Sequence, residues 1–232
     1  MQRLEELKFL QKNLAKKIKL QPLKKFPRLV GGADVSYLPA CDLALGAVVV
    51  FDLKKDCFIE ETFAEEKVRF PYIPGFLSFR EVPVLKKAIL SLKNMPEVIL
   101  VDGQGILHPR GLGLASHLGL ETGIPTIGVA KKPLVGEFEL PAEEMGSTAP
   151  IYLNGEIRGV VLRSRKGVKP VYISPGHLID LSWALKVVKK CLSGYRLPEP
   201  LRQAHLLSQR VRRERGDCSR WRRGKKSRKE SP

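Results

Sequence analysis

Three β-prone runs, "RLVGGADVSY", "LALGAVVVFD" and "CFIEETFAEEKV", follow one another between residues 28 and 68 with only short polar connections. Strands spaced so closely pair as an antiparallel meander, because a parallel pair needs a crossover of about a dozen residues or more. The next run, "EVILVDG", reads as a buried strand, "LGLASHLGLETG" as a short helix ended by Gly123, and "PTIGVA" as a further strand. That strand–helix–strand order favours a parallel crossover, so the expected sheet is mixed and the fold class is α/β.

Helices are expected on the faces of this sheet. Leu4, Leu7, Leu10, Leu14 and Ile18 recur at three- and four-residue steps, predicting an amphipathic helix with a Lys-rich outer face before Pro22 and Pro27 break the pattern. "VPVLKKAILSLKN" has the same period, and "LIDLSWALKVVKKCL" follows the strands "EIRGVVLRS" and "PVYIS", with Asp180 placed to cap it. A chain of 232 residues suits one core. We expect a single domain over 1–209 and a basic, disordered tail over 210–232.

Charge narrows the function classes. The net charge is +17, and the eleven Lys and Arg against three acidic residues from Arg210 to Pro232 put only part of it in the tail. A basic body and a basic tail point to a polyanionic partner, nucleic acid in the first place. No uninterrupted apolar run is long enough to span a bilayer, so no membrane partner is expected. The amino terminus lacks the apolar segment of a secretory signal, giving a cytoplasmic expectation. Cys41, Cys57, Cys191 and Cys218 are scattered, without metal-ligand or disulfide-framework spacing, and are expected to be reduced.

Three acids stand where chemistry is plausible: Asp34 in the first strand, Asp102 at the carboxyl end of the fourth, and Glu81 at the start of the helix between them. Clustered carboxylates repel and need cations, and Mg²⁺ takes oxygen ligands from one or two carboxylates plus phosphates. A basic protein with such a cluster suggests metal-assisted phosphodiester hydrolysis. Each acid also has a structural alternative. Asp34 and Asp102 fit ordinary strand-end positions, and "SFRE" fits a capping box with Ser78 as N-cap and Glu81 reaching back, although Pro83 would move the helix start nearer Glu81. His108, His117, His177 and His205 are too dispersed for a helical metal motif, Lys131 and Lys132 fit either phosphate binding or solvation, and the glycines after Asp102 match no nucleotide-binding loop.

The stretches "GGADVSY", "FPYIPGFLSFRE", "VDGQGILHPRGLGLASHLGL", "IPTIGVAKKPL", "YISPGHLIDL" and "LPEPLRQAHLLSQR", in order from about residue 30 to 210, resemble the endonuclease V family of metal-dependent nucleases acting on inosine-containing nucleic acid. The resemblance implies a ribonuclease-H-like fold, a mixed central sheet flanked by helices. It implies an Mg²⁺-dependent enzyme, with Mn²⁺ as a substitute, that recognises deoxyinosine in DNA and hydrolyses the second phosphodiester bond on its 3′ side. Asp34, Glu81 and Asp102 would form the acidic, metal-holding group, with Lys131 near the scissile phosphate and His205 beside the metal region. Arg80, His108 and His177 would be supporting residues.

The resemblance also gives "PYIP" a role. Pro71 and Pro74 stiffen a loop that presents Tyr72 and Ile73, a wedge offsetting the unstacking of an extruded base; the alternative is a buried Pro-rich turn. Gly75, Leu77, Gly103 and Leu114 would line the base pocket, where backbone amides read the oxygen that hypoxanthine carries in place of the adenine amino group. Two rivals stay open: a ribonuclease acting on inosine-containing RNA, and a non-catalytic nucleic-acid-binding module. A monomer is expected. The tail, with Trp221 able to stack on bases, is read either as a phosphate-binding arm or as solvated chain.

Overall fold

The run "LALGAVVVFD" forms a strand buried along its whole length, which fixes it between two layers. A computed structural model describes residues 2–216, with side chains from residue 4. It places this strand, β2 (Leu43–Asp52), between β1 (Leu29–Leu38) and β3 (Cys57–Lys67), both antiparallel to it. Alternate residues of β2 go to opposite faces. Ala44, Val48 and Val50 join the core under helix α2 (Leu77–Leu90), while Leu43, Leu45, Ala47 and Val49 pack with Ala204, Leu207 and Val211 of helix α5 (Glu199–Arg215).

On its other edge β1 pairs in parallel with β4 (Val98–Val101), which pairs in parallel with β5 (Thr126–Ala130) across helix α3 (Leu114–Thr122). The expected crossover is therefore present. The sheet continues antiparallel through β9 (Val171–His177), β8 (Glu156–Leu162), β7 (Thr148–Leu153) and the two-residue β6 (Glu137–Phe138), giving among the described residues nine strands in the order β3-β2-β1-β4-β5-β9-β8-β7-β6. Helix α4 (Leu181–Lys190) covers β9 and β8, and its N-cap Asp180 accepts the Trp183 amide at 2.8 Å as expected. A mixed central sheet flanked by helices is the architecture expected from the ribonuclease-H-like reading.

Four local expectations are corrected. Helix α2 begins at Leu77 and carries Pro83 inside, with Phe76 as N-cap and no side-chain cap; Ser78 Oγ has no partner, so the capping box does not form. In helix α1 (Gln2–Ala15), Leu4 and Leu10 are exposed and Leu7 and Leu14 half-buried, so the leucine stripe is not a buried seam. Helix α5 runs through residue 209 to Arg215, past the expected start of the tail; residues 217–232, with Trp221, lie outside the described residues. Cys57 and Cys191 are free, but Cys41 is disulfide-bonded, against the expectation of reduced thiols. Among the described residues no helix is long and apolar enough to cross a membrane.

Candidate active site

Strand β1 distributes its side chains by alternation. Val30, Gly32, Asp34 and Ser36 lie on the α5 side, while Ala33, Val35 and Tyr37 join the core beneath α2. Gly32 permits a close approach, since a Cβ there would stand 2.0 Å from the Pro200 carbonyl oxygen at the start of α5. With α5 so near, His205 Nδ1 meets Asp34 Oδ2 at 3.0 Å and Ser208 Oγ donates to the same oxygen at 2.6 Å. Sequence reasoning passed over Ser208, although one helical turn from His205 puts it on the same face.

The parallel pairing sets the second acid beside the first. Val101 lies opposite Ala33, and the Asp102 amide donates to the Ala33 carbonyl at 3.0 Å, so Asp102 follows the end of β4 next to Asp34. Lys131 follows the end of β5, one strand further, and its ammonium bonds Asp102 Oδ2. Ligand atoms of Asp34, Asp102 and His205 all lie within 4.8 Å of one another, a group able to hold a metal ion. Sites outside the carboxyl ends of parallel strands are the rule for α/β sheets.

Glu81 stands apart from this trio. It is buried on α2 and accepts the Tyr37 hydroxyl at 2.8 Å, while the Arg80 guanidinium lies 4.3 Å from the centre of the Tyr37 ring. Each acid meets the cost of burial differently. Burial pushes Asp34 up, but the bonds from His205 and Ser208 outweigh it and hold the carboxyl below its ordinary value. Burial raises Asp102 and neighbouring Asp34 adds to the rise, which Lys131 only partly offsets. Burial pushes Glu81 up to about 8, with Asp34 and Asp102 raising it and the Tyr37 bond opposing. The bond to Asp34 in turn lifts His205 above its ordinary value. Asp102 is thus paired with the Lys131 ammonium, Asp34 is bonded to His205 and Ser208, and Glu81 is bonded by the Tyr37 hydroxyl.

Against this cluster lies a pocket of about 460 Å³, a size suited to a small organic group. All four residues expected to line a base pocket, Gly75, Leu77, Gly103 and Leu114, do line it, together with Tyr72, Pro74 and His108. Lys131 lines it too, so one side chain touches both the pocket and the carboxylate pair. At the rim Tyr72 is 67% exposed and Pro71 and Pro74 are exposed, which contradicts the buried-turn alternative; Ile73 is half-buried. His108 is brought to the pocket wall, where its Nε2 meets the Gly75 carbonyl at 3.1 Å.

One expected supporting residue is elsewhere. His177 lies opposite Thr126 at the start of β5, so the length of that strand, roughly 15 Å, separates it from Lys131. Its Nδ1 accepts the Lys19 amide at 3.2 Å, which ties the segment after α1 to the sheet. Other functional candidates gave no sequence signal. Arg196 donates to the Lys131 carbonyl at 2.6 Å and to the Pro170 carbonyl at 3.0 Å, fixing the backbone that carries Lys131.

Residues 12–206 match the family model described as Endonuclease V. The Endonuclease V of Rippkaea orientalis is 48% identical over 205 residues, 88% of this chain and 90% of that protein. The crystal structure of Endonuclease V from Streptomyces avermitilis superposes with a TM-score of 0.85 at 40% identity, covering 90% of this chain and 93% of that one. Endonuclease V from Ciona intestinalis, solved with a 24mer DNA containing an inosine followed by a ribo-adenosine, is similar with a TM-score of 0.80 at 27% identity over 92% of this chain and 99% of its own. The gathered acids, the pocket beside them and these similarities agree: this chain is a nuclease and belongs to the Endonuclease V family.

Proposed function

We propose that the chain recognises deoxyinosine in DNA and hydrolyses the second phosphodiester bond on its 3′ side, leaving 3′-hydroxyl and 5′-phosphate ends. The observation that carries this reading is Lys131, which lines the pocket and bonds Asp102, so a base in the pocket keeps its own strand within reach of the acids. The Ciona protein, held on inosine-containing DNA, supports the choice of base.

The donor set fits a divalent ion. Asp34 and Asp102 offer the hard oxygens that Mg²⁺ prefers, and Mn²⁺ accepts the same set. His205, bonded through Nδ1 to Asp34, orients that carboxylate. When bound, the ion supplies positive charge to the phosphoryl oxygens and a more acidic water. Glu81 completes the acidic group after losing its proton. Lys131 exchanges Asp102 for the phosphate, a redistribution of charge that leaves neither anion unpaired.

Recognition falls to the loop and the pocket. Tyr72, flanked by Pro71, Ile73 and Pro74, enters the stack with little entropy to lose, and the displaced base is read by backbone amides around Gly75, Leu77 and Gly103, which meet the hypoxanthine oxygen as donors. An adenine amino group would set donor against donor. A single chain supplies every residue named, as a monomer requires.

A labelled duplex with one deoxyinosine tests the reading. Nicking that needs Mg²⁺ or Mn²⁺, stops with chelator and spares the undamaged duplex is expected; cutting without inosine, or binding without cutting, would refute it. Asp102→Ala separates an enzyme from a binding module, since it should keep salt-sensitive binding and lose nicking. The Ciona strand is DNA with one ribo-adenosine after the inosine, and inosine-containing RNA stays the rival substrate. Matched DNA and RNA strands with one inosine decide the preference by their cleavage rates.

A further inference from the structure

Helix α1 is docked by a polar residue. Among its described side chains only Gln11 is fully enclosed, at 0% exposure, while Phe9 is 67% exposed and Leu4 and Leu10 also face solvent. A helix normally seats on its apolar stripe, and an enclosed amide must find partners inside the protein. Gln11 finds them at the foot of the Pro-rich loop. Its Nε2 donates to the Gly75 carbonyl at 2.9 Å, and its Oε1 accepts from Arg110 Nε.

The Gly75 carbonyl is a point of convergence. Arg110 Nη2 donates to it at 2.7 Å, and His108 Nε2 approaches it at 3.1 Å. The His108 tautomer follows from its second contact: Nδ1 accepts the Arg110 amide at 3.2 Å, so Nε2 carries the hydrogen and donates. Burial keeps this ring neutral, with its pKa pushed down to about 4. The Arg110 guanidinium also covers the Phe76 ring, 4.5 Å from its centre. Gly75 itself takes a left-handed φ of +78°, directly after Pro74. Three donors therefore fix the residue at which the 71–74 loop turns into helix α2, and the donor farthest away in sequence comes from α1.

We propose that Gln11 and Arg110 are positioning residues that latch helix α1 to the Gly75 carbonyl and hold the 71–74 loop ready to enter a duplex, so that they govern action on paired strands more than on unpaired ones. The inference rests on the reading of that loop as a wedge. An unpaired strand presents its base without opening a stack, whereas a duplex yields the base only as the loop enters the gap. A loop released from its foot must be ordered at that step, a cost that falls on the duplex reaction in addition to the smaller one that a loosened Gly75 brings to the base pocket on either substrate.

The test compares kcat/KM for one deoxyinosine strand, single and paired, in the full chain and in Gln11→Met and Arg110→Lys. Gln11→Met keeps length and helix propensity without the amide's donor and carbonyl acceptor, and Arg110→Lys keeps charge without the planar fork. Both should lower the duplex rate about tenfold while the single-strand rate stays within about twofold, the scale of a lost hydrogen bond that orders a reacting part. A 2-aminopurine opposite the lesion should brighten less with either variant. Equal losses on both substrates, including those from a misfolded protein, or no loss on either, would overturn the latch. Failure of the unsubstituted chain to nick either strand would instead remove the functional reading beneath it.

Discussion

The floor of the site and its rim are built by different means. Asp34, Asp102 and Lys131 come from neighbouring parallel strands whose hydrogen-bonded register fixes their separation, and each acid already has a side-chain partner, His205 for Asp34 and Lys131 for Asp102. The rim, residues 71–75, belongs to no strand; Pro71, Tyr72 and Pro74 are exposed, and it is held at its foot by side chains from α1 and the loop after β4. Chemistry placed on a rigid sheet should tolerate no loss of a group and little repositioning, while recognition placed on a tethered loop should degrade by degrees.

The sharpest way to break this contrast is at the floor. Asp102→Ala removes one of two adjacent carboxylates, and nicking should fall by roughly three orders of magnitude or more. The unfolding midpoint should hold or rise, because removing one of two like charges relieves repulsion. A large loss of stability would instead make Asp102 a structural residue.

Glu81 offers a test with a defined sign. Its carboxyl is raised from an ordinary 4.5 to about 8, so between those values the folded chain keeps a proton that the unfolded chain releases. Metal-free stability should therefore fall as pH rises from about 4.5 to about 8, by on the order of a few kcal/mol in full. Glu81→Gln should flatten that slope, apart from what raised Asp102 and raised His205 contribute with the same sign above their unfolded values. Chemical denaturation at several pH values in chelator measures both. With metal, apparent affinity should rise with pH through the same window, since the proton must leave.

At the rim, Tyr72→Ala should cost about tenfold to a hundredfold in kcat/KM on duplex, the worth of a base stack, and leave thermal stability unchanged because the ring is exposed. The smallest effect is expected behind the floor. Ser208→Ala deprives buried Asp34 of a 2.6 Å donor, lowering stability by about 1–3 kcal/mol and activity by a few-fold, with metal affinity as the more sensitive readout.

The same contrast explains what the sequence disclosed. The continuous apolar run of β2 and the strand–helix–strand order after it made the mixed sheet legible, because burial on two faces and crossover length leave few alternatives. Asp34, Glu81 and Asp102 could be named from the residues, and motif resemblance gave Lys131 and His205 their places beside them, but spacing alone could not tell that Glu81 would bond Tyr37 rather than cap α2. Local pattern also failed at α1, where the leucine period outranked Gln11; a single polar residue reveals its partners only when residues 75 and 110 are brought to it. His177 shows the converse. A recognisable motif placed it with the supporting residues, and strand register carries it to the other end of β5.

Inosine-directed cutting should depend on a divalent ion held by Asp34 and Asp102. Anomalous diffraction from crystals of the full chain grown with Mn²⁺ locates such an ion, and the same preparation reports cleavage in solution. An ion between the two carboxylates is expected, with loss of both signal and nicking in Asp34→Ala. An ion bound elsewhere, or cutting that persists after this one is lost, would contradict that dependence.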